Sequence, residues 1–228
     1  MLTKIILKTT LMMALTTCSA YAGTQIGATR VIYSEGKKET SVSITNKDSS
    51  PYLIKSWIEN YDISGTHFMV TPPLFRLDAN QKNVIRIFKA NNQLPTDRES
   101  LFFLNITSIP AMDGDEDRNT LQIAVRTKMK LIYRPKKLMD NIPESFSEKL
   151  TWTVNGNSIT GKNTSPYYIN LAQITLNGKV ISMAEKNYLP PMSSTTYELP
   201  ANISKSGVLE WSVINDHGGK GKTNKAML

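Results

Sequence analysis

Residues 121–134 read LQIAVRTKMKLIYR, and the alternation within them decides the fold. The odd positions are Leu121, Ile123, Val125, Thr127, Met129, Leu131 and Tyr133; the even ones are Gln122, Ala124, Arg126, Lys128, Lys130, Ile132 and Arg134. A period of two with one apolar row is the pattern of a β-strand, not of a helix. At about 3.3 Å per residue this strand would run roughly 46 Å, against about 17–20 Å for a common strand, so one small sheet cannot pair all of it. The plain reading is a core strand whose apolar face packs wholly inside its own domain. Its length and basic content argue instead that part of the row is covered by a partner, because an overlong apolar edge left bare invites aggregation.

The same habit extends outward in both directions. Short runs rich in Val, Ile, Thr and aromatics alternate with Gly, Pro, Asn and Asp, and no dozen residues hold a helical period, so the chain reads as all-β. Expected strands are Ile26–Tyr33, Glu39–Thr45, Tyr52–Asn60, Asn83–Phe88 and Leu101–Ile109, with Trp57 as a core anchor. Thr71-Pro72-Pro73 cannot donate ladder hydrogen bonds and marks an edge or corner. Pro110–Thr120, with four acidic residues, reads as a loop feeding the long strand, and Pro135–Pro143 as a linker. Beyond it, Asn155-Gly156 and Asn177-Gly178 sit between strand-like runs as hairpin turns, and Tyr167–Leu176 and Val208–Ile214 complete a second sandwich.

Met1–Ala22 places Lys4 and Lys8 ahead of an apolar run and ends Ala20-Tyr21-Ala22, the pattern of a secretory signal peptide. Cleavage there would leave 206 residues and remove Cys18, the only cysteine. The mature protein would then be stabilised by its cores alone, and its length suits two sandwiches of about 100 residues each. The expected division is a signal peptide at 1–22, one domain at 23–139 and another at 140–228. Without Lys4 and Lys8, 25 basic residues face 19 acidic ones, a net charge of +6. Such a surface suits nucleic acid, anionic lipid or an acidic protein partner, and export argues against nucleic acid as the usual one.

The chemistry of an enzyme is not evident. His67 and His217 have no cysteine or second histidine at metal-ligand spacing, and both read as exposed loop residues. GGKGKT at 218–223 lacks the first glycine of a phosphate loop, since Asp216 stands there, and no G-x-S-x-G turn occurs. The expectation is a non-enzymatic protein with no metal and no cofactor.

Seven stretches together carry a resemblance: TRVIY (29–33), PYLIKSWIEN (51–60), TPPLFRL (71–77), LPTDRESLFFLNITSIP (94–110), LQIAVRTKMKLIYRP (121–135), NTSPYYI (163–169) and INDHGG (214–219). In this order they resemble the PapD-like periplasmic pilus chaperones of the chaperone–usher pathway. The short acidic loop and lack of a cysteine pair resemble the short-loop branch. The resemblance implies two immunoglobulin-like β-sandwich domains in an L shape, working in the periplasm. It also implies donation of a strand to fimbrial subunits, which then pass to an outer-membrane usher. By the same resemblance, Leu121, Ile123, Val125 and Met129 would be the donated row. Arg30 and Lys130 would anchor the subunit's C-terminal carboxylate, and Glu99, Arg134 and Asp216 would form an interdomain salt bridge. The alternative function is a secreted two-sandwich module that binds an acidic polysaccharide or nucleic acid.

Overall fold

Alternating β-branched and polar residues fold here into two sandwiches, each closed over its own apolar core. The computed structural model describes residues 23–61, 63–90, 93–112, 121–184 and 186–228. The expected signal peptide at 1–22, with Cys18, and most of the expected loop at Pro110–Thr120 lie outside these residues.

The N-terminal sandwich contains β1 (Thr24–Ile26), β2 (Arg30–Ser34), β3 (Thr40–Asn46), β4 (Tyr52–Asn60), β5 (Phe68–Thr71), β6 (Leu74–Leu77), β7 (Lys82–Lys89), β8 (Ser100–Pro110) and β9 (Val125–Arg134). One sheet runs β1-β3-β7-β5 and the other β2-β9-β8-β4-β6. Val42, Ile44, Ile85 and Ile87 of the first meet Ile54, Phe102, Leu104, Leu131 and Tyr133 of the second. The expected single strand Ile26–Tyr33 is two strands that belong to different sheets. β1 pairs with β3, and after Gly27–Thr29 the chain crosses so that β2 runs parallel to β9. Pro72 and Pro73 stand at a second such crossing, between β5 on one sheet and β6 on the other.

Three expectations need correction. The fourteen-residue strand has ladder pairing only over Val125–Arg134, and Leu121–Ala124 lie ahead of it. Trp57 is not in the core: Ile54 and Ser56 point inward on β4, so Trp57 takes the outer face, with Arg126 4.8 Å from its ring centre. His67 is buried rather than exposed; its ring lies 5.8 Å from Phe102 and its Nε2 is 3.0 Å from the Ser64 carbonyl oxygen.

The C-terminal sandwich contains β10 (Thr151–Asn155), β11 (Ser158–Asn163), β12 (Ile169–Leu176), β13 (Lys179–Val180), β14 (Tyr188–Leu189), β15 (Ser193–Glu198), β16 (Val208–Ile214) and β17 (Lys220–Met227). One sheet is β10-β11-β15; the other is β13-β12-β16-β17, with β14 also pairing to β12. Trp152 and Trp211 fill its core, and the Trp211 indole N–H donates to the Ser147 carbonyl at 2.9 Å, which satisfies its one polar group. At Asn177-Gly178 both residues have positive φ, 50° and 76°, as the tightest hairpins require.

The two sandwiches meet through a third apolar cluster, Leu101 and Ile132 from one domain with Tyr168 and Tyr188 from the other. This follows from parity. On β9, Met129, Leu131 and Tyr133 enter the N-terminal core, so Lys130, Ile132 and Arg134 turn toward the second domain. The joint is where Arg134 is buried and Lys130 half-buried.

Candidate functional site

Parallel pairing of β2 with β9 sets Arg30 directly opposite Lys130, although they lie 100 positions apart. Adjacent strands are about 4.8 Å apart, so two cationic side chains emerge side by side on the face turned to the second domain. The Lys130 ammonium donates to Asn170 Oδ1 at 2.7 Å and Asn187 Oδ1 at 2.8 Å, and lies 4.6 Å from the Tyr188 ring centre. Burial, with a smaller contribution from Arg30, pushes its pKa down to about 7. Arg30 reaches the Ile214 carbonyl through Nη1 at 3.5 Å, while its buried Nε has no hydrogen-bond partner among the described residues. Burial lowers the Arg30 pKa too, and the charges of Asp216 and Glu144 act against that shift. Among the described residues no carboxylate forms an ion pair with either side chain. Two crowded cations with unspent donors make a receptor for an anion: a planar fork from arginine and a compact charge from lysine.

From this pair, the odd row of β9 leads outward. Met129 is only 4% exposed and packs in its own domain's core, so the expectation that it joins the donated row is corrected. Val125, Ile123 and Leu121 are 58%, 64% and 87% exposed. The change has a topological cause. β2 covers β9 only from Lys130 onward, leaving Val125–Met129 paired to β8 on one side and open on the other. An open edge carrying exposed apolar side chains is the geometry of strand addition.

Behind the cationic pair, Arg134 binds both domains. Its Nε donates to Glu99 at 2.6 Å, and Nη1 and Nη2 donate to the two oxygens of Asp216 at 2.7 and 3.1 Å. The structure thus brings together all three residues named from the sequence. Burial acts to lower the Arg134 pKa, but Asp216 and Glu99 outweigh it and hold the guanidinium above its ordinary value. Burial pushes Glu99 up to about 7, against the pull of Arg134 and of the Tyr168 backbone N–H. That N–H donates to Glu99 Oε2 at 2.7 Å, and the Glu99 N–H donates to the Pro166 carbonyl at 2.9 Å. Sequence reasoning missed Pro166, Tyr168, Asn170, Asn187 and Tyr188 as parts of the site. The first two lie within the NTSPYYI motif, whereas no spacing rule marks a neutral asparagine as a lysine's partner.

Residues 23–139 match the family described as "Pili and flagellar-assembly chaperone, PapD N-terminal domain", and residues 145–225 match "Pili assembly chaperone PapD, C-terminal domain". The chaperone protein FimC of Escherichia coli K12 is 42% identical over 203 residues, covering 87% of this chain and 82% of that protein. The chaperone protein LpfB of Salmonella typhimurium is 37% identical over 219 residues, covering 93% of each. A chain of the solved complex of Salmonella enterica SafA pilin with the SafB chaperone superposes with a TM-score of 0.82 at 34% identity, covering 93% of this chain and 99% of that one. The chain belongs to the PapD family of pilus-assembly chaperones. The comparisons give no support to the alternative of a polysaccharide- or nucleic-acid-binding module.

Proposed function

We propose that residues 1–22 direct export, that the remaining chain forms its two domains at 23–139 and 140–228, and that it works in the periplasm as a non-enzymatic, cofactor-free chaperone. Its partners are fimbrial subunits whose own sandwich lacks a strand, and an outer-membrane usher that receives them. Leu121, Ile123 and Val125 enter the subunit's open groove while the free edge of β9 supplies main-chain hydrogen bonds. Arg30 and Lys130 hold the subunit's C-terminal carboxylate and so fix its register, since a slip of one residue would turn every apolar side chain out of the groove. Glu99, Arg134 and Asp216 keep the two domains at the angle that leaves this cleft open to the subunit.

The observation that carries this reading is the single row that leaves its own core at Met129 and continues exposed to Leu121, beginning beside two half-buried cations. Full burial of three large side chains is worth roughly 5–9 kcal/mol before ordering costs, enough to retain a folding subunit. The test is co-expression with a pilus subunit and recovery from the periplasm. Ile123→Asp is expected to fold as the parent does and to lose the subunit, because the aspartate stays hydrated in the free protein and is buried unpaired in the complex. A variant that unfolds, or one that still brings down the subunit at parental yield, contradicts the donor role.

A further inference from the structure

Lys130 extends from the N-terminal sandwich, yet everything that holds its ammonium comes from the C-terminal one. Asn170, Asn187 and Tyr188 belong to a single antiparallel ladder, in which Asn170 faces Tyr188 and the Leu171 N–H bonds the Asn187 carbonyl at 3.0 Å. The Asn170 amide is itself oriented: its Nδ2 donates to the Tyr168 carbonyl at 3.4 Å, which leaves Oδ1 for the lysine. An ammonium has three N–H donors. Two are taken here by amide oxygens, and among the described residues no other side chain accepts the third, which is left for a ligand.

The choice of amides is informative. Glutamate or aspartate at either position would satisfy the half-buried ammonium better, but would cancel the charge that an incoming carboxylate needs. An amide oxygen holds the ammonium and leaves its charge intact. Resting on the carboxylate-anchor reading above, we propose that Asn170 and Asn187 are positioning residues of that anchor. They draw Lys130 across the domain joint and aim its remaining N–H, so the anchor is complete only when both domains are docked.

The experiment uses the purified protein and two synthetic peptides of one sequence, alternating apolar and polar residues, one ending in a free carboxylate and the other in an amide. The readout is the ratio of their affinities as a function of pH. The parent is expected to prefer the acid by about tenfold or more at pH 6, as a charge-assisted hydrogen bond implies, and to lose Lys130's share of that preference as the lysine deprotonates above neutral pH, while the share from Arg30 remains. Asn187→Leu and Asn170→Leu should each reduce the preference by about five- to tenfold, leave the amide peptide's affinity unchanged, and move the pH midpoint downward. Asn187→Asp keeps an acceptor in place but adds a charge. It should also abolish the preference, whereas a purely structural role predicts that it behaves as the parent does.

Asn187 is half-buried and carries the test alone if Asn170→Leu fails to fold. Variants that retain the parental acid-to-amide ratio, or that weaken both peptides equally, overturn the positioning role. If the parent itself does not discriminate the two peptides, the anchor reading fails first and this inference falls with it.

Discussion

Lys130 carries a charge in a place that charge does not favour. Its folded pKa, about 7, lies below the ordinary lysine value of 10.5, so the unfolded chain binds its proton more tightly than the folded one does. The penalty is therefore complete below pH 7, shrinks as pH rises from 7 toward 10.5, and is absent above that. Lys130→Met keeps the stem and removes the charge, at the expense of two amide acceptors left without their donor. The net expectation is that free protein gains on the order of 1–2 kcal/mol at pH 6, with the gain fading by pH 10, while subunit capture is lost. Urea unfolding at the two pH values measures this. A variant less stable than the parent at pH 6 would mean that the lysine is a framework residue. Gaining stability while losing capture is the signature of a group kept for binding.

At the scale of the element, β9 does two jobs with one pattern. Its inner odd positions complete the N-terminal core, while Val125 at its start and Ile123 just ahead of it face solvent, so equivalent truncations should differ in effect. Met129→Ala is expected to lower unfolding free energy by about 2–3 kcal/mol, and Ile123→Ala to leave it within about 0.5 kcal/mol, both read by urea denaturation. Equal losses at both positions would place Ile123 in the chaperone's own core. The period of two was legible in LQIAVRTKMKLIYR, and with it the fold class. The point at which the row leaves the core was not, since alternation looks the same whether a strand packs on its own sheet or on another protein. That point is set by where β2 stops pairing, at Arg30 opposite Lys130, and such a long-range parallel register leaves no local trace. The pairing of those two residues was reached through resemblance to a family rather than through spacing. Trp57 shows the converse error, in which size suggested the core while its parity against Ile54 put it under Arg126 on the outer face. Asn170 and Asn187 were invisible because a neutral amide carries no mark of the cation it will hold.

Seen as a whole molecule, the protein places the buried charges among its described residues, Glu99 and Arg134, at one joint. Arg134 holds Glu99 within its own domain and reaches Asp216 in the other, Glu99 accepts from the Tyr168 backbone, and Lys130 reaches Asn170 and Asn187, so all but the first of these contacts span the two sandwiches. Breaking one partner of such a network leaves its neighbours buried and unsatisfied, which ties domain orientation to the integrity of the cationic pair. The exposed row begins where that joint ends, and on the proposed reading the two features together take one strand in one register. Parity is the property that separates this account from a generally sticky surface. It is measured most directly by placing a photo-reactive benzophenone side chain in turn at each position from 121 to 126, in cells that co-express a pilus subunit, and scoring crosslinks to that subunit. The account predicts strong crosslinking at 121, 123 and 125 and little at 122, 124 and 126; equal yields at all six positions, or none at the odd ones, would contradict it.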